Sequence, residues 1–162
     1  MDIDFITESI LRAAQDSRGR ILQHSIDMEN IMGIYISEHF TKDIDKIEEF
    51  FSLILSRVNF ESKYQAFIYL VRKYNPDFVI NNPDFHKEII KLIEERNVFA
   101  HWPVDYSEQA ISDYENEKSV TYVLIQKRDN VLISKRLMTE EHINDLIKRY
   151  WNINQTLKAL II

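Results

Sequence analysis

The sequence predicts a mainly α-helical protein, a bundle of about five helices with one β-hairpin inserted before the C-terminal helix. Three observations support this fold class. Apolar residues recur at helical spacings of three and four through most of the chain. Only 2 Gly and 3 Pro occur, fewer than the turns of an all-β fold need. One stretch, residues 120–134, changes to the β-branched and aromatic pattern of strands.

Length and composition predict one soluble globular domain over residues 1–162, because 45% hydrophobic and 28% charged residues are ordinary for such a domain. The absence of cysteine excludes disulfides and Cys-ligated zinc, and it fits a cytoplasmic location. The net charge of −6 disfavours a broad nucleic-acid surface, although a compact phosphate site needs only local charge. No apolar stretch reaches signal-peptide or membrane-spanning length, so we expect no membrane association.

The first half of the chain predicts three helices. A long helix covers residues 3 to about 38, with Gly19 as a candidate kink or division. A second covers about 44–58, and a third covers about 62–74, ending at Asn75-Pro76 because the residue before proline is pushed out of helical geometry. The residues expected to face the core from the second and third helices are Ile47, Phe50, Phe51, Ile54, Val58, Tyr64, Phe67, Ile68, Val71 and Tyr74.

A fourth helix and an acidic connection follow. Asn82-Pro83 is typical of a helix start, with Asn as N-cap and Pro at the first helical position. This helix reaches His101 and must end near Pro103. We expect the acidic segment 105–118 to be a solvated loop.

The last third predicts the hairpin and the final helix. Two β-rich runs flank a tight turn at Arg128-Asp129-Asn130, which places the hairpin at about 120–137. Lys127-Arg128 and Lys135-Arg136 make the densest basic patch, which either guides RNA or protects an edge strand from aggregation. Thr139 is the expected cap of the last helix.

The segment 95–103 carries the most chemically informative residues. It places Arg96 and His101 with four residues between them, and Asn97 directly after the arginine. Arginine holds phosphate oxygens with a planar fork of donors, and histidine moves protons near neutral pH. The structural alternative is a surface arginine together with a histidine that interacts with the helix dipole.

Helical geometry restricts how these residues can work together. A five-residue offset turns by about 500°, so the two side chains leave the helix about 140° apart. We therefore expect Arg96 and His101 to share one pocket only if the helix loosens near His101, or if two chains meet in a symmetric homodimer.

The run 96–101, Arg-Asn-Val-Phe-Ala-His, resembles the Arg-Asn-x-x-Ala-His form of the motif in HEPN domains. These are small α-helical domains often found in prokaryotic toxin–antitoxin and defence systems. A long first helix, helical hairpins before the motif and the motif late in a helix are also similar to that family. The resemblance covers most of the chain as architecture and only these six residues as a specific motif. We interpret the β-hairpin as an insertion.

The resemblance implies a metal-independent endoribonuclease that acts as a homodimer on RNA, as a toxin or defence effector with an antitoxin protein as partner. In this chemistry the ribose 2′-hydroxyl attacks the adjacent phosphate and leaves a 2′,3′-cyclic phosphate. His101 would act as general acid or base, and Arg96 would stabilise charge on the phosphorane. Asn97 would orient a phosphate or the histidine ring.

Two rival hypotheses stay open from the sequence. The first is a non-catalytic HEPN-like module that dimerises and binds a partner protein or a nucleotide, which the net charge of −6 favours. The second is a plain helical scaffold without a site.

Two further residues are candidate substrate contacts. Trp102 either stacks on a base or packs in the core or a dimer interface. Glu29 either orients His101 or Arg96 or is an exposed helix acid. The other histidines, at positions 24, 39, 86 and 142, form no metal-site signature, so we expect no metal and no other cofactor.

Overall fold

The computed structural model describes residues 3–128 and 130–161. Within these residues it contains seven α-helices and one antiparallel hairpin, and most of the described residues are helical, which confirms the predicted fold class. The helices are α1 (Ile3–Phe40), α2 (Ile44–Leu53), α3 (Phe60–Tyr74), α4 (Pro76–Asn81), α5 (Phe85–His101), α6 (Glu108–Glu117) and α7 (Glu140–Lys158). The strands are β1 (Val120–Arg128) and β2 (Asn130–Met138). None of the described helices is long and apolar enough to cross a membrane.

The chain divides into two compact units, each made of two sequence segments. Unit 1 comprises Met1–Gln23 and Glu94–Lys148, and unit 2 comprises His24–Ile93 and Arg149–Ile162. The prediction of one domain over residues 1–162 stays a prediction.

Unit 1 is built around the hairpin. Strands β1 and β2 pair in register from Val120 opposite Met138 to Arg128 opposite Asn130, and Asp129 of the predicted turn lies outside the described residues. Thr139 accepts a hydrogen bond from the N–H of His142, as expected for the cap of α7. The buried apolar side chains of this unit include Ile10, Ala14, Ile21, Phe99, Tyr122, Met138, Ile143 and Leu146.

Unit 2 has a core rich in aromatic and aliphatic residues and two buried polar pairs. Lys63, only 4% exposed, donates to Glu29 at 2.5 Å, and the Tyr64 hydroxyl bonds the His86 ring. Burial raises the pKa of Tyr64 to about 12. The largest buried side chains of this unit include Met28, Met32, Tyr64, Phe67, Ile89, Leu92 and Tyr150.

The first helix agrees with the prediction of one long helix over residues 3 to about 38, and it passes through Gly19 without a division. The second helix differs from the sequence expectation. Helix α2 ends at Leu53 rather than at residue 58 and buries none of its residues. The chain tightens into a 3-10 turn at Leu55–Arg57, which changes the facing residues: Leu55 is buried and Ile54 is half-exposed. Tyr74, expected to face inward from α3, is 51% exposed.

Two later predictions were also wrong. Asn82 does not cap α5; it ends the short helix α4, where its side-chain amide donates to the Phe78 carbonyl, and α5 begins at Phe85. The acidic segment 105–118 contains helix α6 instead of a loop. Ser107 caps α6 by accepting from the N–H of Ala110, and Ala110 is the residue that α6 buries. A single small buried residue gives almost no apolar periodicity, so the pattern missed this helix.

The two glycines of α1 provide a matched test of the packing of Gly33 in unit 2, with Gly19 in unit 1 as the control. A Cβ on Gly33 would lie 2.5 Å from Cε2 of Phe51, whereas a Cβ on Gly19 would meet nothing within 4 Å. We expect Gly19→Ala to raise the free energy of unfolding by about 0.5–1 kcal/mol through helix propensity alone. We expect Gly33→Ala to give no such gain, because the Phe51 ring must move. Denaturant unfolding measures both, and an equal gain in the two variants would contradict the Phe51 packing.

Candidate functional site

The last two turns of α5 carry the motif predicted from the sequence. The helix remains α-helical through His101, and the Trp102 N–H still donates to the Val98 carbonyl at 3.0 Å. It ends before Pro103, as predicted. Asn97 and His101 are exposed and Arg96 is half-buried, so the three polar side chains are accessible at one end of a regular helix.

The Arg96 side chain contacts the other two polar residues of the motif, Asn97 and His101, within one chain. Its Nη1 donates to Oδ1 of Asn97 at 3.2 Å and lies 3.5 Å from Nε2 of His101. The expectation that one regular helix cannot bring these groups together was therefore wrong. The angle of about 140° describes where the side chains leave the helix. A histidine leans back toward the helix N-terminus, and the long arginine side chain spans the remaining angle.

The contact between Arg96 and His101 has one possible direction as a hydrogen bond. A guanidinium has donors and no acceptor, so in a hydrogen bond between the two groups Arg96 donates and Nε2 of His101 accepts. The arrangement thus sets a cation and a proton acceptor about one hydrogen-bond length apart, which is a combination that can bind an anion and accept a proton from a neighbouring hydroxyl.

The end of α5 is held by two residues that the sequence reasoning missed. Nη2 of Arg18, on α1, donates to the Trp102 carbonyl at 2.5 Å, and its guanidinium lies 5.2 Å from the centre of the Tyr122 ring. The Tyr122 ring in turn packs edge-on against Phe99 with centroids 5.3 Å apart. No sequence signal joins Arg18 and Tyr122 to the motif, because they lie far from it along the chain.

Tyr122 is fully buried and fastens β1 to α1. Its hydroxyl lies 3.0 Å from Oγ of Ser17 and 3.3 Å from the Ala14 carbonyl. Burial raises the pKa of Tyr122, while the Ser17 hydroxyl and the Arg18 charge act in the opposite direction. The phenol is therefore held neutral beneath the end of α5.

Residues 103–105 join the sheet directly after the motif. Val123 N–H donates to the Pro103 carbonyl at 2.9 Å, and Asp105 N–H donates to the Thr121 carbonyl at 2.8 Å. Val104 thereby forms an antiparallel bridge with Tyr122. These bonds set the exit path of the chain from α5 and so the position of its last turn.

The basic residues Lys135 and Arg136, which lie on strand β2, are engaged in ion pairs. Lys135 Nζ lies 2.7 Å from Oδ2 of Asp105. Burial acts to raise the pKa of Asp105, but hydrogen bonds from Lys135 and Ser107 outweigh it and hold that pKa below its usual value. Arg136 lies 3.7 Å from Oε1 of Glu95. These contacts favour a structural role for this basic pair over RNA guidance.

Glu95 is largely buried beside the motif. Its Oε2 lies 3.9 Å from Nε2 of His142, and neither atom has a hydrogen-bond partner among the described residues. The carboxylate therefore faces Arg136 and His142, and it adds negative charge to the segment that carries Arg96.

The two remaining candidates are placed as follows. Trp102 is half-buried, and both of its backbone polar groups hold the end of α5 through Val98 and Arg18. Base stacking by Trp102 stays a prediction. Glu29 belongs to unit 2, where its carboxylate forms an ion pair with the buried Lys63. Among the described residues, no group of three or more His, Asp or Glu side chains could hold a metal ion.

Comparison with known proteins does not assign this chain to a family. No family model matches it, and neither a curated protein nor a solved structure matches it. The HEPN resemblance therefore rests on residues 96–101 and their helical context.

Arg18 and Arg12 offer a matched test of how the site is held. Arg18→Ala removes a charge-assisted hydrogen bond and a cation–π contact, so we expect a loss of about 1.5–3 kcal/mol of unfolding free energy. Arg12 makes only an exposed pair with Glu8 on the same helix, and we expect Arg12→Ala to cost at most about 0.5 kcal/mol. Denaturant unfolding measures both. Equal losses would show that Arg18 does not anchor the end of α5.

Proposed function

We propose that this protein is a metal-independent endoribonuclease of HEPN type, active in the cytoplasm as a toxin or defence effector. One observation carries the proposal: the Arg96 guanidinium lies 3.5 Å from Nε2 of His101, with Asn97 bound to the same guanidinium nitrogen. This pairs an anion-binding group with a proton acceptor on an exposed surface. The similarity of residues 96–101 to the HEPN motif supports the same chemistry.

The proposed reaction uses the RNA's own 2′-hydroxyl as nucleophile. Nε2 of His101 takes the proton of the 2′-hydroxyl as its oxygen bonds to phosphorus, a role worth roughly 10²–10⁴ in rate. The bond from phosphorus to the 5′-oxygen breaks, and that oxygen leaves with a proton. Arg96 moves its donors from His101 to the phosphorane oxygens and stabilises their charge. Asn97 holds the guanidinium in place through its Oδ1.

A homodimer would complete the proton balance of this reaction. The motif supplies one histidine per chain, whereas the reaction needs a base for the 2′-hydroxyl and an acid for the leaving oxygen. A two-fold axis near the end of α5 would supply His101 from a second copy as the acid. An antitoxin protein that covers this surface would silence the activity.

The direct test is cleavage of single-stranded RNA in excess EDTA. We expect wild-type protein to release fragments that end in 2′,3′-cyclic phosphate, identified by mass spectrometry. His101→Ala and Arg96→Ala should each slow cleavage by at least about 100-fold, because each removes a group from the transition state. RNA with a 2′-deoxy nucleotide at the scissile position should resist cleavage.

The matched control for this assay is His39→Ala. His39 lies in the last turn of α1, as His101 lies in the last turn of α5, and it is not part of the motif. The His39→Ala variant should cleave RNA at the wild-type rate. Absence of cleavage by wild-type protein, or equal cleavage by His101→Ala, would overturn the proposal.

A non-catalytic module that dimerises and binds a partner protein or a nucleotide is the second candidate. Several large apolar side chains on and next to α2 are more than half exposed, and they suit a protein interface better than solvent. They are Phe40 (65%), Ile44 (71%) and Leu53 (61%). The net charge of −6 also weakens general attraction to RNA.

Expression in a bacterial host separates the two candidates. The nuclease should arrest growth, and the arrest should disappear in both Arg96→Ala and His101→Ala while each variant accumulates to wild-type levels. Growth that is indifferent to both substitutions, together with dimerisation in light scattering, would favour the binding module.

A further inference from the structure

Strand β2 of unit 1 has one edge that pairs with no other strand in the described part of the chain. The sheet contains two strands in the order β1–β2, and the further bridge between Val104 and Tyr122 lies on β1. An unpaired edge is a template for another strand, and proteins that do not use such an edge usually block it. The open edge of β2 is therefore a candidate interaction surface.

The hydrogen bonds of β1 show which of its backbone groups face β2. The N–H of Val123 and the C=O of Thr121 bond residues 103–105 on one side of β1. Because backbone groups alternate sides along a strand, Tyr122 turns its N–H and C=O to the other side, toward β2. Tyr122 lies opposite Arg136, so the backbone groups of Arg136 face β1.

The neighbours of Arg136 on β2 therefore point their backbone groups away from β1. The register is continuous from Val120 opposite Met138 to Arg128 opposite Asn130, so no bulge interrupts this alternation. The residues of β2 that present an N–H and a C=O on the open edge are Val131, Ile133, Lys135 and Leu137.

The charged side chains next to this edge are directed elsewhere. A lysine on an edge strand commonly blocks pairing with another chain. Lys135 instead reaches across β1, where its Nζ lies 2.7 Å from Oδ2 of Asp105. Nη1 of Arg136 lies 3.7 Å from Oε1 of Glu95 on α5. Because β2 also contains neither proline nor a bulge, the usual obstacles to strand pairing are missing from it.

We propose that β2 pairs with β2 of a second copy of this chain, antiparallel and around a two-fold axis at Ser134. Ser134 is the midpoint of β2, so this register pairs the strand along its whole length. Val131 then lies opposite Leu137 of the second copy, and Ile133 lies opposite Lys135. All the outward backbone groups find partners, which gives about eight hydrogen bonds across the axis.

The sequence of β2 is self-complementary in this register. Lys135 lies opposite Ile133, and Arg136 lies opposite Leu132, so no like charges face each other across the pair. The two nearest registers have their axis at Ile133 or at Lys135. Each would leave the outward groups of one residue per copy unpaired, and the second would also set Lys135 against itself. A second copy is therefore the strand that fits this edge.

This contact goes beyond the proposed nuclease chemistry and does not depend on it. Residues 103–105, which follow the motif, lie on the far side of β1 from β2. A dimer joined at β2 therefore uses a different surface from the two-fold axis near the end of α5 that the proposed reaction needs. We expect His101→Ala to dimerise through β2 as the wild type does.

Single cysteines test the register, because the chain contains no cysteine of its own. In the proposed pair the two Ser134 residues form a non-hydrogen-bonded pair with Cα atoms about 4.5 Å apart, which is within disulfide range. Ser134→Cys should therefore give a covalent dimer under mild oxidation, seen on a denaturing gel. The matched control Leu137→Cys lies on the same strand, but its two copies would be about 20 Å apart and should not cross-link.

A proline tests the open edge itself. Leu137→Pro removes an N–H that points away from β1, so the pairing of β1 with β2 keeps its hydrogen bonds. We expect the dissociation constant of the dimer, measured by sedimentation over a dilution series, to rise at least about tenfold. The control Leu137→Thr keeps this N–H and should raise the constant by no more than about threefold.

Three results would overturn the proposal. They are a monomer at every concentration, equal cross-linking of Ser134→Cys and Leu137→Cys, and equal dissociation constants for Leu137→Pro and Leu137→Thr. Far-UV circular dichroism checks the fold of each variant, and the two cysteine variants decide alone if Leu137→Pro does not fold. Loss of RNA cleavage in His101→Ala without loss of the dimer separates this contact from the nuclease.

Discussion

The geometry of the candidate site depends on the attachment of residues 103–105 to strand β1. Backbone hydrogen bonds on both sides of Val104 place the chain in the sheet immediately after α5 ends. Helix termini fray when their last carbonyls lack partners. Here the Trp102 carbonyl receives the Arg18 guanidinium, and the next carbonyl, of Pro103, accepts from β1. The helix therefore stays regular up to His101, and the histidine is held by the backbone beneath it.

This attachment gives the β-hairpin a defined role. The sequence pattern indicates that the hairpin is an insertion in a helical bundle. That interpretation does not say which elements the hairpin packs against. In unit 1 it supplies Tyr122, whose ring packs against Phe99 of α5 and lies under the guanidinium of Arg18. The hydroxyl of the same residue bonds α1 through Ser17. The hairpin thus packs against the end of α5 through the Tyr122 ring. The polar side chains of Arg96, Asn97 and His101 remain accessible to solvent.

In the motif, the angle at which two side chains leave the helix does not determine the distance between their polar atoms. Counting 100° per residue separates Arg96 from His101 by about 140° and argues for a second chain or a loosened helix. The separation of 3.5 Å between Nη1 of Arg96 and Nε2 of His101 in the structure removes that requirement within one chain. The case for a homodimer now rests on proton balance, since each chain brings one histidine of the motif, and no longer on geometry.

Local signals were sufficient for most of the architecture. Periodic apolar residues, Pro103 and Thr139 predicted the long helices, the end of α5 and the start of α7, because caps and periodicity act over a few neighbouring residues. Local signals failed where burial is slight. Helix α6 buries only Ala110, α2 buries none of its residues, and the 3-10 turn at Leu55–Arg57 buries Leu55 in place of the expected Ile54.

The motif residues were also evident in the sequence, but their surroundings were not. Arg18 and Tyr122 reach the end of α5 across long stretches of chain. These contacts depend on how the helices and strands pack against one another. Packing brings together side chains that are far apart in the sequence, so no local spacing pattern predicts them.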